Sequence, residues 1–342
     1  MNRLTKALLF AALAAVTACG GSAAADSGHV TLRLGYQPNL THATALVGVG
    51  QGYFRRALGG ATLVTTPFNA GPDEVEALLS NSIDAAYLGP NPAVNAYVKS
   101  HGSAIRVVAG AAEGGAGLVV RSGLSTAAAL KGKTLATPQL GNTQDVALRY
   151  WLKQQGLQTS TTGGGDVRII TEDNATTLTA FKAGQIDGAW VPEPWLSRLI
   201  VEGKGNLFVD ERTLWPAGEF ATTLLAVRTS FLQAHPDTVK ALLRGQVDAN
   251  TFLSSQPAAA QAATNDALSN LTGKKLSPAV LQSAWVRLTF TNDPVAATVQ
   301  VAAAHAYTLG LLTSKPDLKG LFDLTLLNQV LAADHMSAVP AS

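Results

Sequence analysis

The chain has 342 residues, of which 47% are hydrophobic and 14% are charged, and its formal net charge is +2. Such a charge-poor, nearly neutral chain argues against nucleic-acid binding, which requires a clustered basic surface. Its single cysteine, Cys19, excludes an internal disulfide, a zinc site built from cysteines and a CxxC redox motif.

The N-terminus has the pattern of a secretory signal. Arg3 and Lys6 precede an apolar run over residues 7–18, which is shorter than the roughly 20 residues of a membrane-spanning helix. A branched apolar residue and two small residues stand before Cys19, as in the lipobox of bacterial lipoproteins. The resemblance implies that the signal peptide covers residues 1–18 and that Cys19 carries a diacylglyceryl thioether. The alternative is an ordinary signal peptide with a chance cysteine near the cleavage site.

Residues 19–29 are small and polar and have no periodicity, which is typical of a flexible tether. A folded body of roughly 310 residues then begins near Val30, and this length exceeds that of a typical single domain. Strand-like and helix-like runs alternate through it, which predicts an α/β fold with parallel, doubly wound sheets in two lobes. We expect lobe 1 over residues 30–118, lobe 2 over residues 119–222, and the completion of lobe 1 with C-terminal helices over residues 223–342.

The predicted elements follow one another in chain order. Two strands, residues 118–121 and 223–228, are interpreted as the crossings between the lobes. From residue 230 onward the sequence predicts a nearly all-helical region. The other predicted strands cover residues 30–36, 61–68, 84–88, 105–110, 134–138, 167–171, 189–191 and 207–210, and the predicted helices before residue 230 cover residues 41–58, 74–80, 92–99, 143–155, 176–182 and 192–202.

Four stretches resemble the nitrate, aliphatic sulfonate and taurine group of periplasmic binding proteins of ABC importers. They are LRLGYQPN (residues 32–39) and residues 68–92, 130–157 and 181–195. The resemblance implies a type II periplasmic binding protein fold with a hinged cleft for a small, often anionic ligand. It also implies a monomer that works at the outer face of the cytoplasmic membrane and delivers its ligand to a permease. Because separate ATPase subunits supply energy in such importers, we expect no cofactor and no enzymatic activity.

The candidate binding residues follow the predicted strands, because open α/β sheets bind ligands at the carboxyl ends of their strands. Amide side chains there can donate hydrogen bonds to an anion, a glycine lets a ligand approach the backbone, and a helix N-terminus carries partial positive charge. Helix caps, plain turns, a surface carboxylate and a core tryptophan are the structural alternatives. The candidates are Gln37, Asn39, Gly89, Asn91, Gly114, Asn142, Thr143, Gln144, Glu193 and Trp195.

The chemistry of these loops favours a sulfonate. Amides, hydroxyls and main-chain N–H groups suit an oxyanion that stays ionised without a counter-ion, whereas a nitrate site would be expected to supply a cation. Alternatives are a thiamine-precursor pyrimidine stacked on Trp195 or Tyr36, and an enzyme of the same fold that makes such a pyrimidine. The signal segment argues against the enzyme, whose chemistry is cytosolic. The six histidines lack the spacing of metal ligands and are expected at the surface.

Overall fold

The computed structural model describes residues 29–340, so the predicted signal peptide and Cys19 lie outside the described residues. Strands and helices alternate from residue 31 to residue 228, and helices dominate afterwards. The strands are β1 (Thr31–Tyr36), β2 (Thr62–Pro67), β3 (Ala85–Leu88), β4 (Ile105–Gly114), β5 (Ala116–Val120), β6 (Thr134–Thr137), β7 (Arg168–Thr171), β8 (Gly188–Pro192), β9 (Asn206–Asp210), β10 (Ala221–Arg228) and β11 (Leu288–Phe290).

Helices cover the sheets and form the C-terminal region. Short 3-10 turns, such as Leu40–His42 after β1, supplement them. The α-helices are α1 (Ala43–Gly50), α2 (Tyr53–Leu58), α3 (Gly71–Leu79), α4 (Pro90–Lys99), α5 (Thr143–Gln154), α6 (Asn174–Ala183), α7 (Trp195–Val201), α8 (Thr229–Ala234), α9 (Pro236–Ser255), α10 (Pro257–Thr272), α11 (Pro278–Trp285), α12 (Ala296–Thr308) and α13 (Thr325–Ala333).

The strands form two sheets, one in each lobe. The six-stranded sheet of lobe 1 has the order β11-β4-β10-β3-β1-β2, and the five-stranded sheet of lobe 2 has the order β7-β6-β8-β5-β9. Within each sheet three strands run parallel, β2-β1-β3 and β7-β6-β8, and a crossing strand pairs antiparallel beside them. The parallel strands therefore end at the edges where the two lobes face each other, as expected for a cleft.

The first crossing between the sheets lies at Gly114 and Gly115. β4 ends at Gly114 and β5 already belongs to the second sheet at Ala116. Both glycines have left-handed backbone angles, with φ of +73° and +69°, which other residues adopt only with strain. The return crossing precedes β10. The expected lobe boundaries at residues 118 and 222 thus fall inside β5 and β10, a few residues beyond the crossings.

Three elements differ from the sequence-based expectation. The single helix predicted over residues 41–58 is two helices, because Gly52 adopts φ +73° between α1 and α2. The helix predicted from Pro192 begins at Trp195, since Pro192 still pairs with Ala116 in the sheet. The strand β11 lies within the region predicted to be helical, where three residues pair with β4 and extend the first sheet.

Each lobe has its own apolar core. In lobe 1, side chains of the sheet such as Leu34 and Tyr87 pack with Phe54 of α2 and with α9, whose residues arrive about 200 positions later in the chain. In lobe 2, Leu135 and Trp190 form the corresponding core with α5. The long-range packing makes the C-terminal helices part of lobe 1. Within residues 29–340, no helix combines the length and apolar character needed to cross a membrane.

Close packing of α1 against Phe54 gives a stability prediction. A Cβ at Gly48 would lie 2.3 Å from Phe54 Cζ, whereas a Cβ at Gly50 in the same helix would meet only Ala267 Cβ at 3.5 Å. We expect Gly48→Ala to lower the free energy of unfolding by about 1–3 kcal/mol through overpacking. Gly50→Ala should leave it unchanged or raise it by up to about 1 kcal/mol. Urea denaturation of the two variants checks this, and equal stabilities would contradict it.

Candidate ligand-binding site between the lobes

A small cavity lies between the two lobes at the ends of β1, β3, β6 and β8. Its volume is about 20 Å³, roughly the room that one water molecule occupies. No lysine, arginine, aspartate or glutamate is among the side chains that line it. Lobe 1 contributes Gln37, Asn39, Thr41, His42, Gly71, Gly89, Pro92 and Thr222, and lobe 2 contributes Asn142, Thr143, Gln144 and Pro192.

The structure brings six of the ten predicted residues to this cavity. They come from loops that are up to about 100 residues apart in the chain, and both lobes contribute. The six are Gln37, Asn39, Gly89, Asn142, Thr143 and Gln144.

A chain of hydrogen bonds fixes the two amides from lobe 1. The Trp195 indole Nε1–H donates to Asn39 Oδ1 (2.8 Å), Asn39 Nδ2 donates to Gln37 Oε1 (3.2 Å), and Gln37 Nε2 donates to Glu74 Oε2 (2.8 Å). Because an indole N–H can only donate, it sets the direction of both amides. Their oxygens are occupied, and each NH₂ group keeps one further hydrogen for another acceptor. We call these four residues the amide relay.

Glu74, at the end of the amide relay, has no exposed surface. Its second oxygen, Oε1, has no hydrogen-bond partner among the described residues. Burial raises the pKa of the Glu74 carboxyl well above its ordinary value, and the neighbouring Asp73 raises it further. The shift favours the neutral acid, which places no negative charge beside the cavity. Sequence reasoning missed Glu74, because it lies in α3 rather than in a strand-end loop.

His42 is a cavity residue that the sequence analysis placed at the surface. This expectation is wrong, because the 3-10 turn after β1 directs the side chain inward and leaves it 3% exposed. The Gln37 backbone N–H donates to His42 Nδ1 (3.2 Å), and burial lowers the pKa of His42 to about 3. The imidazole is therefore neutral and carries its proton on Nε2, where it can donate. Its position in the same turn as the Gln37–Asn39 loop is the sequence signal that could have identified it.

The N-terminus of α5 supplies the wall from lobe 2. Asn142 Oδ1 accepts from the Asp145 backbone N–H (2.9 Å), so this side chain caps the helix. Thr143 Oγ1 accepts from the Asn91 backbone N–H across the cleft at 3.4 Å and retains its own hydroxyl hydrogen. The unpaired N–H groups of the first turn add partial positive charge. Asn142 thus caps α5 and also lines the cavity.

Gly89 lines the cavity where the two lobes meet, whereas the Asn91 side chain lies outside it. A Cβ at Gly89 would lie 2.3 Å from Thr143 Oγ1, so glycine permits close approach of the other lobe. Asn91 Nδ2 donates to the Ala302 carbonyl oxygen (3.0 Å), which joins α4 to α12. The Asn91 side chain is therefore occupied within lobe 1.

Glu193, Trp195 and Gly114 do not line the cavity. Glu193 is completely buried, and its carboxylate accepts from the Ser197 backbone N–H (3.0 Å) and Oγ–H (2.8 Å) at the start of α7. Arg287 lies 3.7 Å away on the other side of the cleft. Gly114 marks the crossing, where a Cβ would lie 2.5 Å from the Arg287 carbonyl oxygen. Trp195 thus contacts the cavity residue Asn39, Glu193 is bonded to α7, and Gly114 lies at the crossing between the sheets.

Direct contacts hold the lobes in a closed arrangement. The Leu40 backbone N–H donates to the Glu193 carbonyl oxygen (3.1 Å), next to the amide relay. The rings of Tyr150 in α5 and His305 in α12 also stack between the lobes, with centroids 3.5 Å apart. Hydrogen bonds to a charged ligand are stronger in a low-dielectric space such as this cavity than in water. Among residues 29–340, no group of three or more histidine, cysteine or acidic side chains could hold a metal ion.

Residues 25–267 match the NMT1-like family. The chain belongs to this family. It is 28% identical over 190 residues to the taurine-binding periplasmic protein of Escherichia coli (strain K12), a match that covers 56% of this chain and 57% of that protein. The matched stretch thus spans little more than half of the curated relative.

Solved structures confirm the predicted two-lobed fold. The alkanesulfonate-binding protein SsuA from Xanthomonas axonopodis pv. citri superposes with a TM-score of 0.71 at 23% identity, covering 86% of this chain and 98% of that one. The nitrate-binding protein NrtA from Synechocystis PCC 6803 superposes with a TM-score of 0.78 at 16% identity, covering 92% of both chains. The family resemblance drawn from the sequence is confirmed.

Buried carboxyls make the stability of the fold depend on pH. Burial raises the pKa of Glu113, Glu193 and Glu211 to about 7 each. A raised pKa in the folded state gives stability that is present at low pH and is lost as pH rises through that value. Because the ordinary pKa of a glutamate is 4.5, the free energy of unfolding should therefore fall between about pH 4.5 and pH 7 and level off above that. His42, whose pKa is lowered from 6.5 to about 3, opposes part of this fall below about pH 6.5.

Glu193→Gln tests this dependence, because glutamine keeps the shape and cannot ionise. Its free energy of unfolding, measured by urea denaturation between about pH 5 and pH 7.5, should fall less steeply than that of the wild type. Glu202→Gln is the control, since Arg198 holds the pKa of Glu202 below its ordinary value. A pH profile of Glu193→Gln that is as steep as the wild-type profile would show that Glu193 does not contribute.

Proposed function

We propose that the protein is the solute-binding component of an ABC importer and that it captures a small sulfonate, an aliphatic sulfonate or taurine, in the cavity between its lobes. The observation that carries the proposal is the lining of that cavity. It presents hydrogen-bond donors from both lobes and no carboxylate. A sulfonate group, which only accepts hydrogen bonds, can join the two lobes through these donors.

The available donors match the oxygens of a sulfonate. Gln37 and Asn39 each offer an amide N–H, neutral His42 offers its Nε2–H, and Thr143 offers a hydroxyl at the N-terminus of α5. A sulfonate remains ionised at any physiological pH and accepts hydrogen bonds without needing a counter-ion. The similarity to a taurine-binding protein and to the fold of an alkanesulfonate-binding protein supports this choice.

The ligand would reach a permease from the closed form. Closure is a shift between two populations, so the ligand has to bind the closed form more favourably than the open form. Energy would come from the ATPase subunits of the importer, so the chain acts as a monomeric binding protein without catalysis. The secretory pattern and Cys19 support a lipid anchor at the outer face of the cytoplasmic membrane.

Nitrate is a second candidate, favoured by the cavity volume of about 20 Å³. A small planar oxyanion needs less room than an organic sulfonate. The absence of a lysine or arginine from the residues that line the cavity is the argument against nitrate.

Calorimetric titration with methanesulfonate, taurine, nitrate and a thiamine-precursor pyrimidine distinguishes these ligands. We expect the sulfonates to bind with dissociation constants in the micromolar range, about −8 kcal/mol. Nitrate should bind more weakly and the pyrimidine should not bind. Binding of nitrate alone would replace the sulfonate assignment, and binding of the pyrimidine alone would remove the anion-binding role of the cavity.

The contribution of lobe 2 to ligand affinity can be tested with the variant Thr143→Val, which removes a hydroxyl and preserves the shape of the side chain. Loss of a hydrogen bond to a charged ligand should weaken binding by about 1.5–3 kcal/mol, roughly tenfold to 150-fold. Thr179→Val, at an exposed position of α6, is the matched control and should bind as the wild type does. Equal affinities of the two variants would refute a role of Thr143 in holding the anion.

A further inference from the structure

A larger groove opens between the lobes on the far side of the amide relay. Its volume is about 760 Å³, within the range of roughly 300–1,000 Å³ that is typical of small-molecule sites. The groove is bounded by the loop after β1, by α6 and α7 of lobe 2, and by the loop between α10 and α11. Apolar side chains on its walls are Pro38, Pro194, Trp195, Val201, Leu268 and Leu276. We call it the Trp195 groove.

The rim of the Trp195 groove is basic. Five cations line it, against the two carboxylates of Asp173 and Glu202, although the whole chain carries 25 basic and 23 acidic residues. Arg198 is paired with Glu202 and lies over the Trp195 ring at 4.6 Å. Lys182, Lys204 and Lys274 form no salt bridge within residues 29–340, while Lys275 pairs with Asp266. Anionic ligands are therefore attracted to this opening.

The Trp195 groove and the inner cavity are neighbouring spaces that share one lining residue. Asn39 borders both spaces, and the Trp195 indole that donates to Asn39 forms the wall of the groove. The inner cavity, with a volume of about 20 Å³, leaves no room for a carbon chain. An organic sulfonate whose head lies among Gln37, His42 and Thr143 must extend elsewhere, and the groove is the neighbouring space with apolar walls.

We propose that the Trp195 groove binds the apolar body of the ligand, so that the protein selects sulfonates with an extended alkyl or aryl group over methanesulfonate and taurine. This inference rests on the proposed function, because it places the sulfonate head in the inner cavity. Apolar contact with Trp195, Val201 and Leu276 provides the selectivity, and the unpaired lysines at the rim favour an anion over a neutral ligand of the same length.

A homologous series of ligands tests this selectivity. Dissociation constants of the full-length protein for methanesulfonate, butanesulfonate and hexanesulfonate should decrease by about threefold to fourfold per methylene group, the effect of burying each group in an apolar wall. Affinities that do not increase with chain length would overturn the inference while leaving the proposed function intact. If none of the three sulfonates binds, the proposed function itself fails and the inference fails with it.

The variant Leu276→Asn tests whether the preference for long alkyl chains arises in the Trp195 groove. We expect this variant to lose at least fivefold in affinity for hexanesulfonate and to keep its affinity for methanesulfonate, which reports an intact inner cavity and a folded protein. Leu271→Asn, at an exposed leucine outside the groove, is the matched control and should change neither affinity. Loss of hexanesulfonate affinity in both variants, or in neither, would contradict a role of the Trp195 groove.

Discussion

The hydrogen bond from the Trp195 indole to Asn39 is the interaction on which the geometry of the site depends. It joins the lobes, because Trp195 begins α7 of lobe 2 and Asn39 follows β1 of lobe 1. Since an indole nitrogen cannot accept, the bond also orients the amides of Asn39 and Gln37 as donors toward further partners. The buried carboxyl of Glu74 terminates the relay. This contact thus contributes to the closure of the cleft and orients the amides that line the cavity.

The uncharged polar groups of the inner cavity are separate from the charged side chains of the Trp195 groove. The inner cavity is lined by amides, hydroxyls and a neutral imidazole, while the lysines lie at the rim of the Trp195 groove. Dipoles that are already oriented can hold an anion without a buried cation, whose own desolvation would be costly. In the proposed function, lysines at the rim of the groove attract the same anion over a longer distance. These two tasks require different residues, and the structure places those residues around adjacent spaces.

The sequence predicts the fold and part of the lining of the inner cavity. Alternating strands and helices identify both sheets, and the positions after the strands include Gln37, Asn39 and the N-terminus of α5, which the structure places around that cavity. The sequence does not predict the features that depend on packing between distant segments. The inward direction of His42 comes from a 3-10 turn, and the role of Glu74 requires α3 to lie beside the loop after β1.

Packing between distant segments also explains why Glu193 does not line the cavity and why one helix starts later than expected. Glu193 has a carboxylate in a strand-end loop, but Ser197 one turn later captures it and Arg287 approaches from the C-terminal region. The helix expected from Pro192 starts later because the sheet pairing of β8 with β5 continues through that residue. Local sequence does not determine these outcomes, since each depends on a partner far along the chain.

A crystal structure of the protein grown with 2-bromoethanesulfonate tests the central claim most directly, because the two ends of this ligand can be located separately. We expect the sulfonate oxygens in the inner cavity, within hydrogen-bond distance of Gln37, His42 and Thr143. The anomalous signal of bromine should lie past Asn39 toward the Trp195 groove. A sulfonate bound to the lysines at the rim, with the inner cavity empty, would contradict the account.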